Sequence, residues 1–370
     1  MLIFGLLLVS ALVTWVDAGS WSVAVSVVKR VQRNNTLKLS DVYGQVLSAD
    51  ASRSYIGTVY VGTPPLPFNV LFDTGSSIFW IPKKGCKSTG SRSFYCAHNL
   101  ELYDPTASVT SQPTNLPLRI KYGTGSAQGL IFKDYLTFGG SMRFMQPIEI
   151  GAADVMEFSD QGIIGLPSLV DPKKHGSSVM HEAWRQKILN APIFTVYMRD
   201  CVRIVDDDCQ DAGLITFGGL DEHNCEKVEG YADVDPKSFN WQFNVTEFQI
   251  GRARVTSKIK AISDSGSNRI VAPTEHVKQI MKIIGATAIE GGSHVVKCDF
   301  DATVTLNING HQYTIPSHQM LLNLHDGNCL VLLVPLDLNN LWILGTPFTR
   351  TFCQVHNIEK RTIGFAKTKN

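Results

Sequence analysis

The stretch FNVLFDTGSS, residues 68–77, has an echo later in the chain, AISDSGSN at residues 261–268. In both, apolar residues lead into an aspartate, a hydroxyl residue, a glycine and a serine. Each motif is followed at a distance by two apolar residues and a glycine, in GIIGL at 162–166 and in WILGT at 342–346. One Asp-Ser-Gly is a common turn sequence, but two copies with matching partners indicate a duplicated lobe.

The chain around these motifs has the pattern of short strands and turns. In SYIGTVYVGTPPLPFNVLF, residues 54–72, two β-branched apolar runs flank Gly-Thr-Pro-Pro, which predicts a strand, a turn and a second strand. The clearest helical spacing of apolar residues occurs at 178–189 and 275–286. We therefore predict an all-β protein of two lobes related by a pseudo-twofold axis, with a few short helices.

Composition and charge restrict the class of protein. The 370 residues are 44% apolar and 18% charged, which is typical of a globular chain with a substantial core. The length suggests two domains or one large bilobal unit. The formal net charge is +1, with neither the basic excess expected for nucleic-acid binding nor an acidic tail for a cationic partner.

The first 18 residues, MLIFGLLLVSALVTWVDA, are interpreted as a cleaved signal peptide. Their uninterrupted apolar part is shorter than the ~20 residues of a membrane span. Val16 and Ala18 have the spacing that a signal-cleavage site prefers. A signal anchor is the alternative interpretation. We expect no membrane span after signal cleavage, since no other apolar run is long enough.

Residues 19–45 contain four basic residues and one acidic residue and are interpreted as a short basic pro-segment. A disordered leader is the alternative. The N-terminal lobe, with Asp73, is then predicted at residues 46–225, and the C-terminal lobe, with Asp264, at residues 226–370.

Eight cysteines and two glycosylation sequons point to the secretory pathway. No cysteine belongs to a C-x-x-C pair, which argues against zinc. An even number of cysteines behind a signal peptide indicates disulfides formed in an oxidising compartment. The sequons at Asn34 and Asn244 suit the same route, with chance occurrence as the alternative. We expect an extracellular or lysosomal destination.

A pseudo-twofold axis that brings the two aspartate loops together would place two carboxyl groups within hydrogen-bonding reach. Like charges that close cannot both ionise cheaply, so one proton is shared and one pKa is raised. One carboxylate can then act as general base on a water molecule while the protonated partner polarises a carbonyl group. This is peptide hydrolysis without a covalent intermediate, a metal or any cofactor.

The residues that follow each aspartate have physical roles in this scheme. Gly75 and Gly266 let the backbone approach the carboxyl groups and donate N–H groups to them. The hydroxyls of Thr74 and Ser265 can lock each loop to the opposite loop. The other two hydroxyl residues can hydrogen-bond the outer carboxylate oxygens and help to decide which aspartate keeps the proton; these are Ser76 and Ser267.

These motifs resemble those of the pepsin-like aspartic proteases, the family of pepsin and cathepsin D, over roughly residues 50–370. The resemblance extends to nematode cathepsin D-like enzymes. The segments that carry it are FDTGSS with Trp80 and Pro82, IKYGTGSAQG at 120–129, GIIGL, DSGS, and WILGTPFTR with IGFA. It implies a bilobal pepsin-like fold and a monomeric aspartic endopeptidase whose protein or peptide substrate binds in an extended conformation.

The resemblance also implies roles for individual residues. Asp73 and Asp264 correspond to the catalytic pair. Tyr122 corresponds to the tyrosine of a β-hairpin flap that closes over substrate, and Trp80 to the indole that donates to it. Without the aspartate loops, Tyr122 would be a turn-flanking aromatic residue and Trp80 plain core. Backbone contacts to the peptide are expected from Gly123, Thr124 and Gly266.

The resemblance also implies a pairing for the cysteines. Two pairs match disulfides of the family, Cys86–Cys96 and Cys298–Cys329. The four additional cysteines are expected as Cys201–Cys209 and Cys225–Cys353, although the sequence does not determine connectivity.

Several residues depart from the pattern of the family, with Ser265 a mild change from threonine and Asn357 standing where an aspartate is often found. Ser263 replaces an apolar residue before Asp264, Asn268 replaces a small hydroxyl residue, and Thr346 replaces an aspartate. A buried hydroxyl at position 263 needs a hydrogen-bond partner. We predict an aspartic endopeptidase that prefers apolar residues at the cleavage site, with a catalytically weak or inactive pepsin-like peptide-binding protein as the alternative.

Overall fold

A computed structural model of the chain describes residues 21–29, 36–39, 42–45, 55–89, 94–96, 102–123, 125–138, 142–157, 161–171, 175–200, 212–289 and 292–369. Only the backbone is described for residues 21–29, 36–39, 42–45 and 94–95. Several predictions fall outside the described residues, namely the signal peptide at 1–18, Asn34, Thr124, Cys201 and Cys209.

The described residues form thirty strands and four short helices. The strands of the first part of the chain are β1 Trp21–Lys29, β2 Thr36–Leu39, β3 Val42–Gln45, β4 Tyr55–Val61, β5 Leu66–Asp73, β6 Phe79–Thr89, β7 Phe94–Tyr95, β8 Gln112–Lys121, β9 Ser126–Asp134, β10 Leu136–Phe138, β11 Met142–Arg143, β12 Ile148–Glu157, β13 Gly162–Gly165, β14 Ile193–Met198 and β15 Gly213–Phe217. Those of the second part are β16 Cys225–Asp233, β17 Gln242–Ile250, β18 Ala253–Val255, β19 Ile259–Ser263, β20 Ile270–Ala272, β21 Thr287–Ala288, β22 His294–Lys297, β23 Val304–Ile308, β24 His311–Ile315, β25 Leu321–Asn323, β26 Asn328–Val331, β27 Leu333–Pro335, β28 Leu341–Leu344, β29 Phe352–Asn357 and β30 Thr362–Thr368. The helices are α1 Val179–Arg185, α2 Thr274–Ile284, α3 Ser317–Met320 and α4 Thr346–Thr349.

The predicted all-β class with a few short helices is confirmed. Strands β4 and β5 pair antiparallel across the predicted Gly-Thr-Pro-Pro turn. Helix α2 ends where Gly285 adopts the left-handed conformation with a φ of 72°, a common helix stop. Helix α1 is four residues shorter at its end than the apolar spacing suggests, because the chain turns at Lys187, whose φ is 57°.

The two aspartate motifs occupy equivalent places in two sheets. Strand β5 runs parallel to β13, so that Asp73 lies opposite Gly165. Strand β19 runs parallel to β28 in the second sheet, and Ser263 lies opposite Leu344. The segments GIIGL and WILGT therefore pair with the strands that deliver the aspartates, which explains why each motif has its downstream partner.

A third sheet joins the two halves beneath the aspartates. Its strands lie in the order β16–β30–β29–β14–β15–β1, all antiparallel. Strand β1, from the predicted pro-segment, pairs along β15 and also meets β4 of the first half. The predicted lobe boundary at residues 225/226 falls at the first residue of β16, within this shared sheet. Large apolar side chains of both halves fill one continuous core above it.

Candidate active site

The two aspartate loops meet at the junction of the two halves, and their carboxyl groups are hydrogen-bonded to each other. Each carboxyl also accepts from the glycine N–H of its own loop, from Gly75 at 2.8 Å for Asp73 and from Gly266 at 2.9 Å for Asp264. A Cβ on Gly75 would lie 2.5 Å from the carboxyl carbon of Asp264, and one on Gly266 would lie 2.7 Å from a carboxyl oxygen of Asp73. Only glycine allows this approach at either position.

Four hydrogen bonds lock the loops to each other in a nearly symmetric arrangement. The Thr74 N–H donates to the Ser265 hydroxyl at 3.0 Å, and the Ser265 N–H donates to the Thr74 hydroxyl at 2.9 Å. The Thr74 hydroxyl donates to the Ser263 carbonyl at 3.1 Å, and the Ser265 hydroxyl donates to the Phe72 carbonyl at 2.6 Å. Both hydroxyls are buried, and serine supplies the same bonds here as threonine.

The two carboxyl groups are electrostatically unequal. Burial raises the pKa of Asp73, while Ser76, Asp264 and the Gly75 N–H lower it in part. Burial raises the pKa of Asp264 well above its usual range, and the adjacent negative charge of Asp73 raises it further. Two adjacent buried carboxylates would repel each other, so the pair shares one proton, and the negative charge of Asp73 favours its residence on Asp264.

The serines that follow the glycines contribute differently from each other. The hydroxyl of Ser76 lies beside both Asp73 and Tyr122 and lowers the pKa of each. The hydroxyl of Ser267 instead donates to the Arg269 carbonyl at 3.1 Å. The contact of Ser267 with the Asp264 carboxyl comes from its backbone N–H. The expected hydroxyl contact is thus replaced by a backbone one, because the loop turns the side chain toward Arg269.

Strands β8 and β9 form a hairpin whose turn carries Tyr122 over the site. The turn is closed by a hydrogen bond from the Tyr122 N–H to the Gly125 carbonyl at 2.7 Å. The Trp80 indole N–H donates to the Tyr122 hydroxyl at 2.6 Å. Burial and the charge of Asp73 raise the pKa of the Tyr122 phenol, so it remains protonated. A Cβ on Gly123 would lie 3.5 Å from Leu336 of the other half, so the tip of the hairpin reaches across the site.

The aspartate loops are supported by two buried residues that no pattern in the sequence indicated. The Trp241 carbonyl accepts from the Ser263 N–H at 3.2 Å. The Trp241 indole N–H donates to the Leu166 carbonyl at 2.7 Å, and the Leu166 N–H donates to the Asp73 carbonyl at 2.8 Å. Trp241 therefore bridges the supports of both loops.

The second residue is Gln354, which accepts a hydrogen bond from the Ser263 hydroxyl. The sequence indicated that a buried hydroxyl at position 263 needs a partner. It contained no signal for which residue this is, since the two positions are 91 residues apart.

None of the disulfides of the described residues includes a residue of the aspartate loops. The described residues contain Cys86–Cys96, Cys225–Cys353 and Cys298–Cys329. Cys225–Cys353 links β16 to β29 within the shared sheet. Asn244 has an exposed side chain on β17.

The described residues contain no group of three or more histidine, cysteine, aspartate or glutamate side chains able to hold a metal ion. Within the same part of the chain, no helix is long and apolar enough to cross a membrane.

Comparison with known proteins identifies the family. The sequence model for eukaryotic aspartyl protease matches residues 54–368. The chain is 31% identical over 328 residues to aspartic protease 1 of Caenorhabditis elegans, covering 84% of this chain and 81% of that protein. It is 30% identical over 340 residues to chymosin of Ovis aries, covering 88% of this chain and 84% of that protein. It is 29% identical over 325 residues to pepsin A of Canis lupus familiaris, covering 84% of this chain and 80% of that protein.

Both the motifs and the arrangement of the sheets agree with this match, and the bilobal all-β prediction is confirmed. The chain belongs to the eukaryotic aspartyl protease family and is an aspartic endopeptidase.

Proposed function

We propose that Asp73 and Asp264 are the catalytic pair and hydrolyse a peptide bond through an activated water molecule. The observation that carries this proposal is the meeting of two buried carboxyl groups, each lying against the glycine of the opposite loop, in loops that are hydrogen-bonded to each other. Ionised Asp73 removes a proton from water as the water oxygen attacks the peptide carbonyl carbon, and Asp264 donates its proton to the carbonyl oxygen. Asp73 then passes its proton to the departing amide nitrogen as the C–N bond breaks, and Asp264 takes back the proton from the tetrahedral intermediate.

The substrate in this proposal is a peptide segment in extended conformation, held between the hairpin and the loops. Tyr122 closes over it, Trp80 orients Tyr122, and backbone groups of Gly123, Thr124 and Gly266 bind its main chain. A preference for apolar side chains at the cleavage site is supported by Leu336 and Tyr122, which face the site from its two halves.

We further propose that the chain enters the secretory pathway, loses residues 1–18, and works as a monomer in an extracellular or lysosomal compartment. Residues 19–45 are the proposed pro-segment, with lobes at 46–225 and 226–370. Removal of the pro-segment would take β1 from the shared sheet and leave the edge of β15 unpaired. Because an exposed strand edge invites pairing with another segment, we propose that another segment pairs with β15 after processing.

The test is hydrolysis of a quenched fluorescent peptide by the purified chain from pH 3 to pH 7, with and without pepstatin. We expect pepstatin-sensitive cleavage with a bell-shaped pH dependence, since Asp73 gains a proton at the acidic side and Asp264 loses one at the other. A folded protein that cleaves nothing across this range would contradict the proposal and favour a peptide-binding protein.

Replacing Tyr122 with alanine should lower kcat/KM about 10- to 100-fold without unfolding the protein. The variant loses the side chain that covers the site and leaves the Trp80 indole without its acceptor. Steady-state kinetics and circular dichroism check this. The matched control is Tyr231→Ala, because Tyr231 is 49% exposed on β16. Equal kcat/KM for Tyr122→Ala and the control would show that the hairpin does not act as a flap.

Asn244 should carry an N-linked glycan when the chain is made in eukaryotic secretory cells, because its side chain is exposed on β17. Endoglycosidase treatment should increase the electrophoretic mobility of the wild type. The Asn244→Gln variant should lack the part of this shift that is due to residue 244. An unchanged shift in the variant would mean that the sequon is not used.

A further inference from the structure

Ser263 lies at the point where β19 passes into the Asp264 loop, and it is completely buried. Its N–H donates to the Trp241 carbonyl at 3.2 Å, and its carbonyl accepts from the Thr74 hydroxyl of the opposite loop at 3.1 Å. Its backbone thus joins the two loops and is covalently next to Asp264. A displacement of Ser263 is therefore transmitted directly to a carboxyl group of the pair.

The side chain of Ser263 is bound by one buried residue of the shared sheet. Its hydroxyl donates to the Oε1 atom of Gln354, a residue of β29 that is 1% exposed. The Nε2 atom of Gln354 donates to the Thr349 hydroxyl at 3.0 Å, and that hydroxyl is also buried. A buried hydroxyl or amide without a partner is strongly unfavourable, whereas a paired one is tolerated. Ser263 and Gln354 therefore depend on each other.

The hydrogen bonds of Gln354 also extend to helix α4, which contacts the far end of the Asp264 loop. Thr349, the partner of Gln354, is the last residue of helix α4. The Thr346 N–H at the start of this helix donates to the Ser267 carbonyl at 2.8 Å. Gln354 is thus connected to both ends of the segment 263–267 that carries Asp264.

We propose that Ser263 and Gln354 form one positioning unit for the carboxyl pair, with Gln354 as a positioning residue that acts through Ser263. The proposal rests on the catalytic roles proposed for Asp73 and Asp264. The unit fixes the position of the Asp264 loop so that the carboxyl group of Asp264 meets that of Asp73. Removing one member leaves the other as an unpaired buried polar group, which can be relieved only by moving the strand end that carries Asp264.

The experiment compares Ser263→Ala and Gln354→Met with the double variant. Methionine has nearly the length of glutamine but offers no comparable hydrogen bond. We expect each single variant to lower kcat about tenfold per pepstatin-titrated site, with KM changed less than about twofold, because misplaced reacting groups slow the chemical step. The double variant should recover most of the lost kcat, since neither polar group is then left unpaired.

Gln354→Glu provides a conservative rescue. Burial favours the neutral form of the new carboxyl group, whose carbonyl can accept from Ser263 and whose hydroxyl can donate to Thr349. In the acidic part of the wild-type pH range, this variant should keep at least about half of the wild-type kcat. If Gln354→Met does not fold, Gln354→Glu still tests the proposal, because glutamate preserves the shape of the glutamine side chain.

The matched control is Thr195→Val on the neighbouring strand β14. Thr195 is completely buried and its hydroxyl donates to the Gly219 carbonyl at 3.0 Å, so this variant also removes a buried hydroxyl from the shared sheet. It should lower the melting temperature with little effect on kcat per titrated site. A purely structural role for Gln354 would give the same result as this control.

The outcomes separate this inference from the proposed function. An inactive wild type contradicts the proposed catalytic pair itself. An active wild type with wild-type kcat in either folded single variant overturns the positioning unit alone, as does a double variant whose losses are the sum of the single losses. Loss in the single variants with recovery in the double variant and in Gln354→Glu supports it.

Discussion

Replacing Asp264 with asparagine should lower kcat about 10²- to 10⁴-fold, the range typical of removing a general acid or base. The amide has the shape of the carboxyl group, and its oxygen can still accept from the Gly266 N–H, which lies 2.9 Å from the native carboxyl oxygen. What the amide cannot do is hold and donate the proton that burial and the charge of Asp73 keep on Asp264. The loss should therefore be chemical rather than structural.

The measurement is kcat for a quenched peptide across pH 3 to 7, with circular dichroism and thermal unfolding of the same preparations. The matched control is Asp221→Asn, because Asp221 is also buried but accepts hydrogen bonds from a turn at residues 223–224. We expect that control to retain wild-type kcat. A folded Asp264→Asn variant with wild-type kcat at every pH would refute the proposed pair.

The second large expected effect is on the pH dependence of folding stability. It comes from His356, which is completely buried on β29 in the shared sheet. Its ring stacks on Phe194 with centroids 4.4 Å apart and meets the edge of Trp241 at 4.6 Å. Neither ring nitrogen completes a hydrogen bond with the described residues. Burial lowers the pKa of His356 to about 3, so the folded protein holds this imidazole neutral.

This imidazole makes folding stability depend on pH. The unfolded chain binds a proton at His356 below about pH 6.5, whereas the folded chain does so only near pH 3. Stability is therefore fully present above pH 6.5 and is lost as the pH falls toward 3. At about 1.4 kcal/mol per pH unit, the loss between pH 7 and pH 4 is about 3 kcal/mol. That is a large fraction of a typical free energy of unfolding of about 5–15 kcal/mol.

The His356→Phe variant should remove this loss, because phenylalanine keeps an aromatic ring between Phe194 and Trp241 but binds no proton. Urea unfolding at pH 7 and pH 4 measures the pH-dependent change in the free energy of unfolding. We expect this change to be about 3 kcal/mol smaller in the variant than in the wild type. Burial also lowers the pKa of His181, to about 4, but this contribution is present in both proteins and cancels.

The control for this comparison is His223→Phe, since residue 223 is exposed. It should leave the pH-dependent change in stability at its wild-type size. If His356→Phe and the control behaved alike, the imidazole of His356 would have to be protonated in the folded protein, and its environment would differ from the one described.

At acidic pH, protonation has opposite effects at the two sites: it supports the proposed reaction at the carboxyl pair, but at His356 it lowers the stability of the fold. One carboxyl group of the pair must be protonated for the proposed reaction, while the shared sheet beneath it is weakened as protons become more available. Trp241 contacts the His356 ring and also accepts from the Ser263 N–H beside Asp264. We therefore expect the acid limit of activity to reflect loss of folded protein as well as protonation of Asp73.

Local sequence determined the duplicated architecture and the identity of the aspartates. Each loop is a contiguous segment in which apolar residues lead into Asp, a hydroxyl residue and Gly, and such a pattern constrains the backbone within a few residues. The downstream segments with two apolar residues and a glycine are also local patterns, and each lies beside the aspartate strand of its own half. The strands, the turn at residues 62–65 and the two longer helices follow from the same short-range rules.

Only the tertiary structure decided that the two carboxyl groups lie together in a buried environment that raises both pKa values, where the Ser267 hydroxyl points, and that Gln354 pairs with Ser263. The physical reason is that proton affinity depends on burial and on neighbouring charges, and both come from segments far apart in the chain. Ser263 and Gln354 are separated by 91 residues, and nothing in either local pattern marks them as a pair. Likewise, His356 is an ordinary histidine in the sequence, and it becomes a group that titrates near pH 3 only when Phe194 and Trp241 enclose it.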